Sequence, residues 1–384
     1  MSMTIGILKE PAHETRVSLL PEAVVTLVKK NLEVFVEPGA GEKSFASDKD
    51  YEKAGAKLSQ RGEIINSSQV ILTIHKLSLE DVTLMRAKVA IGVYLPLYHI
   101  PRMQEWASRG VTIFSLDMLP RTTRAQSMDV LSSQANIAGY KSVLVAADMY
   151  SRYFPMFMTA AGTIAPAKVL VLGAGVAGLQ AVATARRLGA VVEVFDTRPA
   201  VKEEVISLGA KFIEVEGAAD ASKAGGYAVE QSEDFMKRQK QKIAESIMKA
   251  DIVITTAQIP GKQAPLLVTA EMVETMRSGS VIVDLAASTG GNCELSRNKE
   301  TIMHKGVTIV GNSNLAAGMP SDASKLYGKN VLNFLQLIID KDGNLNLNWE
   351  DDLVKGCCIT HNGEVMHERL KNPLSPPEAG NLGS

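Results

Sequence analysis

The stretch KVLVLGAGVAGLQAVATARRLGAVVEVFD, Lys168 to Asp196, restricts the fold more than any other. An apolar, β-branched run leads into three glycines, a helical period follows, and a second β-branched run ends on an acid. Strand, tight turn, helix and strand in about 30 residues make a βαβ unit, which needs a parallel sheet with helices on its faces. Gly173 permits the turn, Gly175 lets a pyrophosphate approach the backbone, and Gly178 allows close helix packing. Val176 and Ala177, at the helix start, offer N–H groups to the phosphates. Asp196 suits an adenosine ribose and repels a 2′-phosphate, which favours NAD(H) over NADP(H). Arg198, one residue past Thr197, complicates that choice, and its planar group reads as a cover for adenine. There is no second GxGxxG, so the chain holds one dinucleotide, and the other reactant is a small molecule or something carried by another chain.

Upstream, short apolar runs (TIGILKE, LEVFVEP, QVILTIH, AKVAIGVYL, VTIFSLD) alternate with helical periods, which implies a first α/β domain up to about residue 131. A long helix follows from about Ser132, then the dinucleotide unit with later strands DIVITTA, SVIVDLA and VTIVGN. A helix near Pro320 returns the chain to the first domain. The expected fold is therefore α/β: two Rossmann-like domains with parallel sheets, joined by long helices, with a cleft between them. The boundaries are 1–131 plus 320–372 for the first domain and 132–319 for the second. Residues 373–384 (LSPPEAGNLGS after Pro373) read as a disordered tail. The segment 217–242 breaks the rhythm and has two open readings. It is an exposed loop with a solvated charged helix, or a mobile flap in which Tyr227, beside Gly226, closes onto a ligand.

Charge is balanced, 41 Lys and Arg against 42 Asp and Glu, so nothing points to nucleic acid. The three cysteines, Cys293, Cys357 and Cys358, have no ligand spacing, and no histidine pattern suggests a metal. Sparse cysteines, no signal peptide and no apolar run long enough to span a bilayer fit a cytoplasmic chain.

The run RTTRAQSMDVLSSQANIAGY, Arg121 to Tyr140, gathers Arg121, Gln126, Asp129 and Ser132 without a His, Cys or Lys. If it enters a helix, Gln126, Asp129 and Ser132 recur every three residues on one side. Spacing alone leaves two readings: a capped helix start, or groups that position a ligand.

These residues also carry a family resemblance. TIGILKEPAHETRVSLLPE, RAQSMDVLSSQANIAGY, GAGVAGLQAVATARRLGA, TTAQIPGKQAP and VIVDLAASTGGNCE, spread from about Thr4 to His367, resemble the NAD(H)-binding alpha component of proton-translocating nicotinamide nucleotide transhydrogenases. The resemblance implies hydride transfer from NADH to NADP+. NADP(H) would sit on a partner beta subunit, coupled to proton movement through membrane-spanning subunits, with this chain a homodimer held peripherally at the inner face of the cytoplasmic membrane. It assigns Arg121, Gln126, Asp129 and Ser132 to the nicotinamide end, Tyr227 to the flap and Ala257 to a backbone contact with the nucleotide. The alternative relative is alanine dehydrogenase. Its substrate-binding Arg and Lys match Arg16 and Lys76, beside His75, but its catalytic His and Asp fall at Leu95 and Ser288, neither of which can take a proton. A redox-sensing NAD-binding module is the third reading.

Overall fold

The computed structural model describes residues 3–215, 217 and 232–371. They form two compact units, residues 3–134 with 317–371 and residues 135–316. In the first, β1 (Thr4–Ile7), β2 (Glu33–Val36), β3 (Lys57–Leu58), β4 (Val70–Leu72), β5 (Val89–Gly92) and β6 (Thr112–Ser115) lie parallel in the order β6-β5-β4-β1-β2-β3. The central strands β1, β4 and β5 are apolar on both faces because both are covered. Val70, Leu72, Val89 and Ile91 pack with Tyr327, Val331 and Phe334 of the helix Pro320–Ile338. Ile71 and Ala90 point the other way, toward Met103 and Trp106 of the helix Ile100–Ser108.

The first strands of the second unit form a small hairpin, β7 (Phe157–Thr159) and β8 (Gly162–Ile164). Its main sheet holds β9 (Lys168–Leu172), β10 (Val191–Phe195), β11 (Lys211–Phe212), β12 (Ile252–Thr255), β13 (Val281–Asp284), β14 (Thr301–His304) and β15 (Val307–Val310), in the order β11-β10-β9-β12-β13-β15-β14. Val169 and Val171 enter one core and Leu170 and Leu172 the other, the period of two expected of a strand buried on both sides. Finally β16 (Cys358–His361) and β17 (Glu364–Val365) extend the first sheet beyond β6.

The sheets are thus parallel in the main and not throughout. β14, β16 and β17 run antiparallel to their neighbours. Two of these pairings are two-residue hairpins whose central residues, Lys305-Gly306 and Asn362-Gly363, both have positive φ. That turn matches strand twist and permits only antiparallel pairing, and the Asn-Gly at 362–363 announces it in the sequence. The long helix spans Val130–Met149 and itself crosses from one unit to the other at residues 134 and 135. The helix Pro320–Ile338 lies wholly in the first unit.

The described part of the charged run is a helix, as the first of the two readings expects, but it is not solvated all round. Glu233–Ile247 is a helix capped by Ser232, and it buries Phe235, Ile243 and Ile247. Ile243 and Ile247 pack against Leu170 and Val253 of the sheet. Its charges are the outer face of an amphipathic layer, so residues from 233 onward continue the α/β rhythm. Gly226 and Tyr227 lie outside the described residues, as does the tail 373–384. Among the described residues no helix is long and apolar enough to cross a membrane.

Candidate functional site

The sheet of the second unit reverses its winding between β9 and β12, and the residues singled out by sequence gather at the C-terminal ends of β9, β10 and β12. Such a switch point is where doubly wound sheets take ligands. Gly173 has φ of +105°, and its N–H donates to Phe195 O at 2.8 Å. A side chain on Gly178 would start 1.8 Å from Gly173 O, whereas one on Gly175 would meet nothing within 4 Å. The turn therefore closes on itself at Gly178 and leaves open space at Gly175. Gly175 caps the helix Val176–Arg187, and Leu179 N is the first to bond back, to Gly175 O at 2.9 Å. The N–H groups of Val176 and Ala177 precede it at the positive end of the helix. A glycine outside the motif takes part as well. Gly139 of the long helix carries no side chain because one would lie 2.1 Å from Ala177 O.

Asp196 is more committed than sequence suggests. One oxygen accepts from the N–H and Nε of Arg198 (2.8 and 2.9 Å). The other accepts from Arg198 Nη2 at 2.8 Å and from the turn's own Ala174 N–H at 2.7 Å. The carboxylate thus braces the glycine turn, and the guanidinium is fixed edge-on to Asp196, with its pKa raised by that hydrogen bond. Thr197 between them is half-buried.

Ala257 offers less backbone than expected. Its N–H donates to Asn292 Oδ1 at 3.0 Å and its carbonyl accepts from Asn292 Nδ2 at 2.9 Å. Asn292 is fully buried, also donates to Pro265 O at 2.8 Å, and is held through its own N–H by the buried Asp284. What Ala257 presents outward is a small side chain on a fixed backbone. The run DLAASTGGN holds both residues of this brace, but nothing in their spacing pairs them with a loop 35 positions earlier.

In the first unit, Arg121 to Ser132 do not form one helix. Thr123–Met128 is a 3-10 turn, Asp129 leaves helical geometry with ψ of 90°, and the α-helix starts at Val130. Asp129 accepts from Ser132 N at 2.9 Å and from Ser132 Oγ at 2.6 Å, so it caps the helix. Gln126 stays exposed on the turn, between the buried Ala125 and Met128. The expected single row is therefore replaced by Gln126 on one element and a bonded Asp129–Ser132 pair on the next.

Arg16, His75, Lys76 and Leu95 lie in the same unit, and Ser288 in the second. Glu14 accepts from Arg16 N, Nε and Nη2 (2.9, 2.9 and 2.8 Å) and lies 2.5 Å from His75 Nε2. Burial alone would raise the Glu14 pKa, but the bonds from Arg16 and His75 outweigh it and hold the carboxyl well below the usual range. Arg16 Nη1 goes to Gln134 at 2.8 Å. His75 and Lys76 line a cavity of about 470 Å³ with Lys9, Glu10 and Arg61, and Arg16 is not among its described lining residues. Glu10 accepts from Ile74 N and His75 N at 2.6 and 3.0 Å, and burial pushes its pKa up to about 7. Leu95 is half-exposed in a left-handed conformation, and Ser288 is exposed with its N–H on Ser313 Oγ.

Comparison with known proteins identifies the family and the fold. The alanine dehydrogenase/PNT N-terminal domain model matches residues 6–138 and the C-terminal domain model residues 142–368. An NAD(P) transhydrogenase subunit alpha chain of Rhodospirillum rubrum is 45% identical over 379 residues, covering 96% of this chain and 99% of that one. The crystal structure of transhydrogenase from Sinorhizobium meliloti superposes with a TM-score of 0.86 at 46% identity, covering 94% of this chain and 99% of that chain. An L-alanine dehydrogenase structure gives 0.78 at 25% identity, over 96% and 98%. The chain belongs to the alanine dehydrogenase/PNT family and, within it, to the alpha subunits of NAD(P) transhydrogenase.

Proposed function

We propose that this chain binds NAD(H) and holds it for direct hydride exchange with NADP(H) carried by a partner beta subunit. Bound NADH supplies the hydride: its C4–H bond breaks, the hydride with both electrons forms the C4–H bond of NADPH, and NAD+ remains. No proton passes between heteroatoms, so the site needs placement more than an acid or base, and placement contributes a large share of such a rate. The glycine turn and the N–H groups of Val176 and Ala177 take the pyrophosphate. Asp196 and Arg198 form the adenosine end, with Ala257 beside the nucleotide. Arg121, Gln126, Asp129 and Ser132 serve the nicotinamide end, Asp129 and Ser132 as a fixed pair and Gln126 as the outward group. Gly226 and Tyr227 belong to the flap.

The observation that carries this reading over amino-acid oxidation is the pair Leu95 and Ser288. Both are accessible, and neither can take the proton that must leave as an amine or alcohol is oxidised. The buried Glu14–Arg16 pair supports it, since Arg16 already has carboxylate and amide partners. Coupling to proton translocation, assembly with membrane-spanning subunits at the inner face of the cytoplasmic membrane, and homodimerisation complete the proposal. The test mixes the purified chain and NADH with a purified NADP(H)-binding subunit and NADP+, against L-alanine and NAD+ with no partner. Turnover only with the partner is expected. Turnover with alanine alone would overturn the reading, and none in either arm would leave a sensor.

A further inference from the structure

The 3-10 turn that carries Gln126 runs for six residues, longer than such turns usually persist. Two side chains from a distant helix end it. Asn330 and Asn333, three residues apart on the helix Pro320–Ile338, both donate from Nδ2 to Ser127 O at 2.9 Å. That carbonyl would accept from the next turn if Thr123–Met149 were one continuous helix. The departure at Asp129 removes those partners, and the two amides replace them. A third hold comes from Arg124. Its Nη1 and Nη2 form a fork on Asp351 at 2.7 and 2.7 Å, with a further bond to Asp352. Asp351 in turn caps the helix Asp352–Cys357.

Asn330 is 6% exposed, and its Oδ1 has no partner among the described residues. An unpaired buried acceptor destabilises the fold, a cost that an apolar residue there would avoid. The amide is kept where its Nδ2 holds the carbonyl next to Gln126.

We infer that Asn330 and Asn333, assisted by the Arg124–Asp351 fork, are positioning residues for hydride exchange: they select the broken form of the segment and so set where Gln126 points. This rests on the function proposed above. Without the clamp the segment relaxes toward a continuous helix, in which Gln126, Asp129 and Ser132 fall in one row and the Asp129 cap is lost.

The test measures single-turnover hydride transfer at saturating NADH, with the NADP(H)-binding subunit and NADP+, alongside NADH affinity. Asn330→Ala/Asn333→Ala is expected to slow transfer at least about tenfold while NADH affinity changes less than about threefold, the separation that positioning requires. Should that variant fail to fold, Asn333→Asp, at a half-buried position and nearly isosteric, turns an oxygen toward Ser127 O and is expected to slow transfer at least about threefold, with Asn333→Gln recovering part of the loss. Arg124→Gln is expected to give a smaller loss in the same direction. Unchanged transfer in a folded variant, or parallel loss of transfer and affinity, would overturn the inference. Absence of turnover by the unaltered chain would instead overturn the functional reading beneath it.

Discussion

The two units contain the same local device, an acid, a threonine and an arginine in a row. Glu14-Thr15-Arg16 and Asp196-Thr197-Arg198 each fold so that the carboxylate takes the arginine's backbone N–H, Nε and Nη2. Their surroundings separate them. The Glu14 carboxylate is fully buried, also meets His75, and its arginine is spent on Gln134, while Thr15 ties the segment to Ala317 O at 2.5 Å. The Asp196 pair is more open, its arginine side chain 19% exposed against 8% for Arg16, and its extra bond goes to the glycine turn. One fork is a closed structural tie, and the other sits at a strand end beside the glycine turn. An identical i, i+2 ion pair is thus no evidence of a site until its remaining partners are known.

The largest effect should come from cutting the buried fork. Glu14→Ala leaves Arg16 charged and buried without its carboxylate, which typically costs about 3–5 kcal/mol. The denaturant midpoint should fall sharply, with NADH affinity of the folded protein unchanged; loss of affinity at normal stability would place this fork in the nucleotide site. Asp196→Asn should do the reverse. NADH affinity is expected to fall roughly tenfold, or about 1.4 kcal/mol, with discrimination against NADPH narrowed and a stability loss smaller than that of Glu14→Ala. Unchanged affinity would make Asp196 only a brace for the turn.

The smallest expected effect is a pH dependence that belongs to the first unit. The Glu10 pKa is raised from 4.5 to about 7, so the folded state holds a proton that the unfolded chain releases. The sign follows: this stability is full below about pH 4.5 and is lost as pH rises through about 7, on the order of 1 kcal/mol after discounting for partial exposure. Denaturation of the unaltered chain at pH 5 and pH 8, beside Glu10→Gln, checks it. The variant should show a flatter dependence, and an equally steep one would place the titration elsewhere.

What the sequence reveals follows the same division between local and distant causes. The glycine turn is readable because Gly173 must adopt positive φ and Gly178 must admit Gly173 O, both set within six residues. The strands are readable because two-sided burial forces apolar runs. The break at Asp129 is not readable, since three-residue spacing fits a continuous helix and the residues that prevent it lie about 200 positions on. Asn292 is hidden for a like reason, its three bonds to Ala257 and Pro265 joining loops that no local pattern connects. The antiparallel edge at Asn362-Gly363 has a local signal, and only the dominance of the parallel rhythm obscures it.

The most direct measurement uses NADH deuterated at the transferred C4 position, together with the NADP(H)-binding subunit and NADP+. Direct exchange between two nicotinamides requires the deuterium to appear in NADPH and none in water. Label released to solvent, or deuterium delivered to a small-molecule acceptor with no partner present, would contradict it.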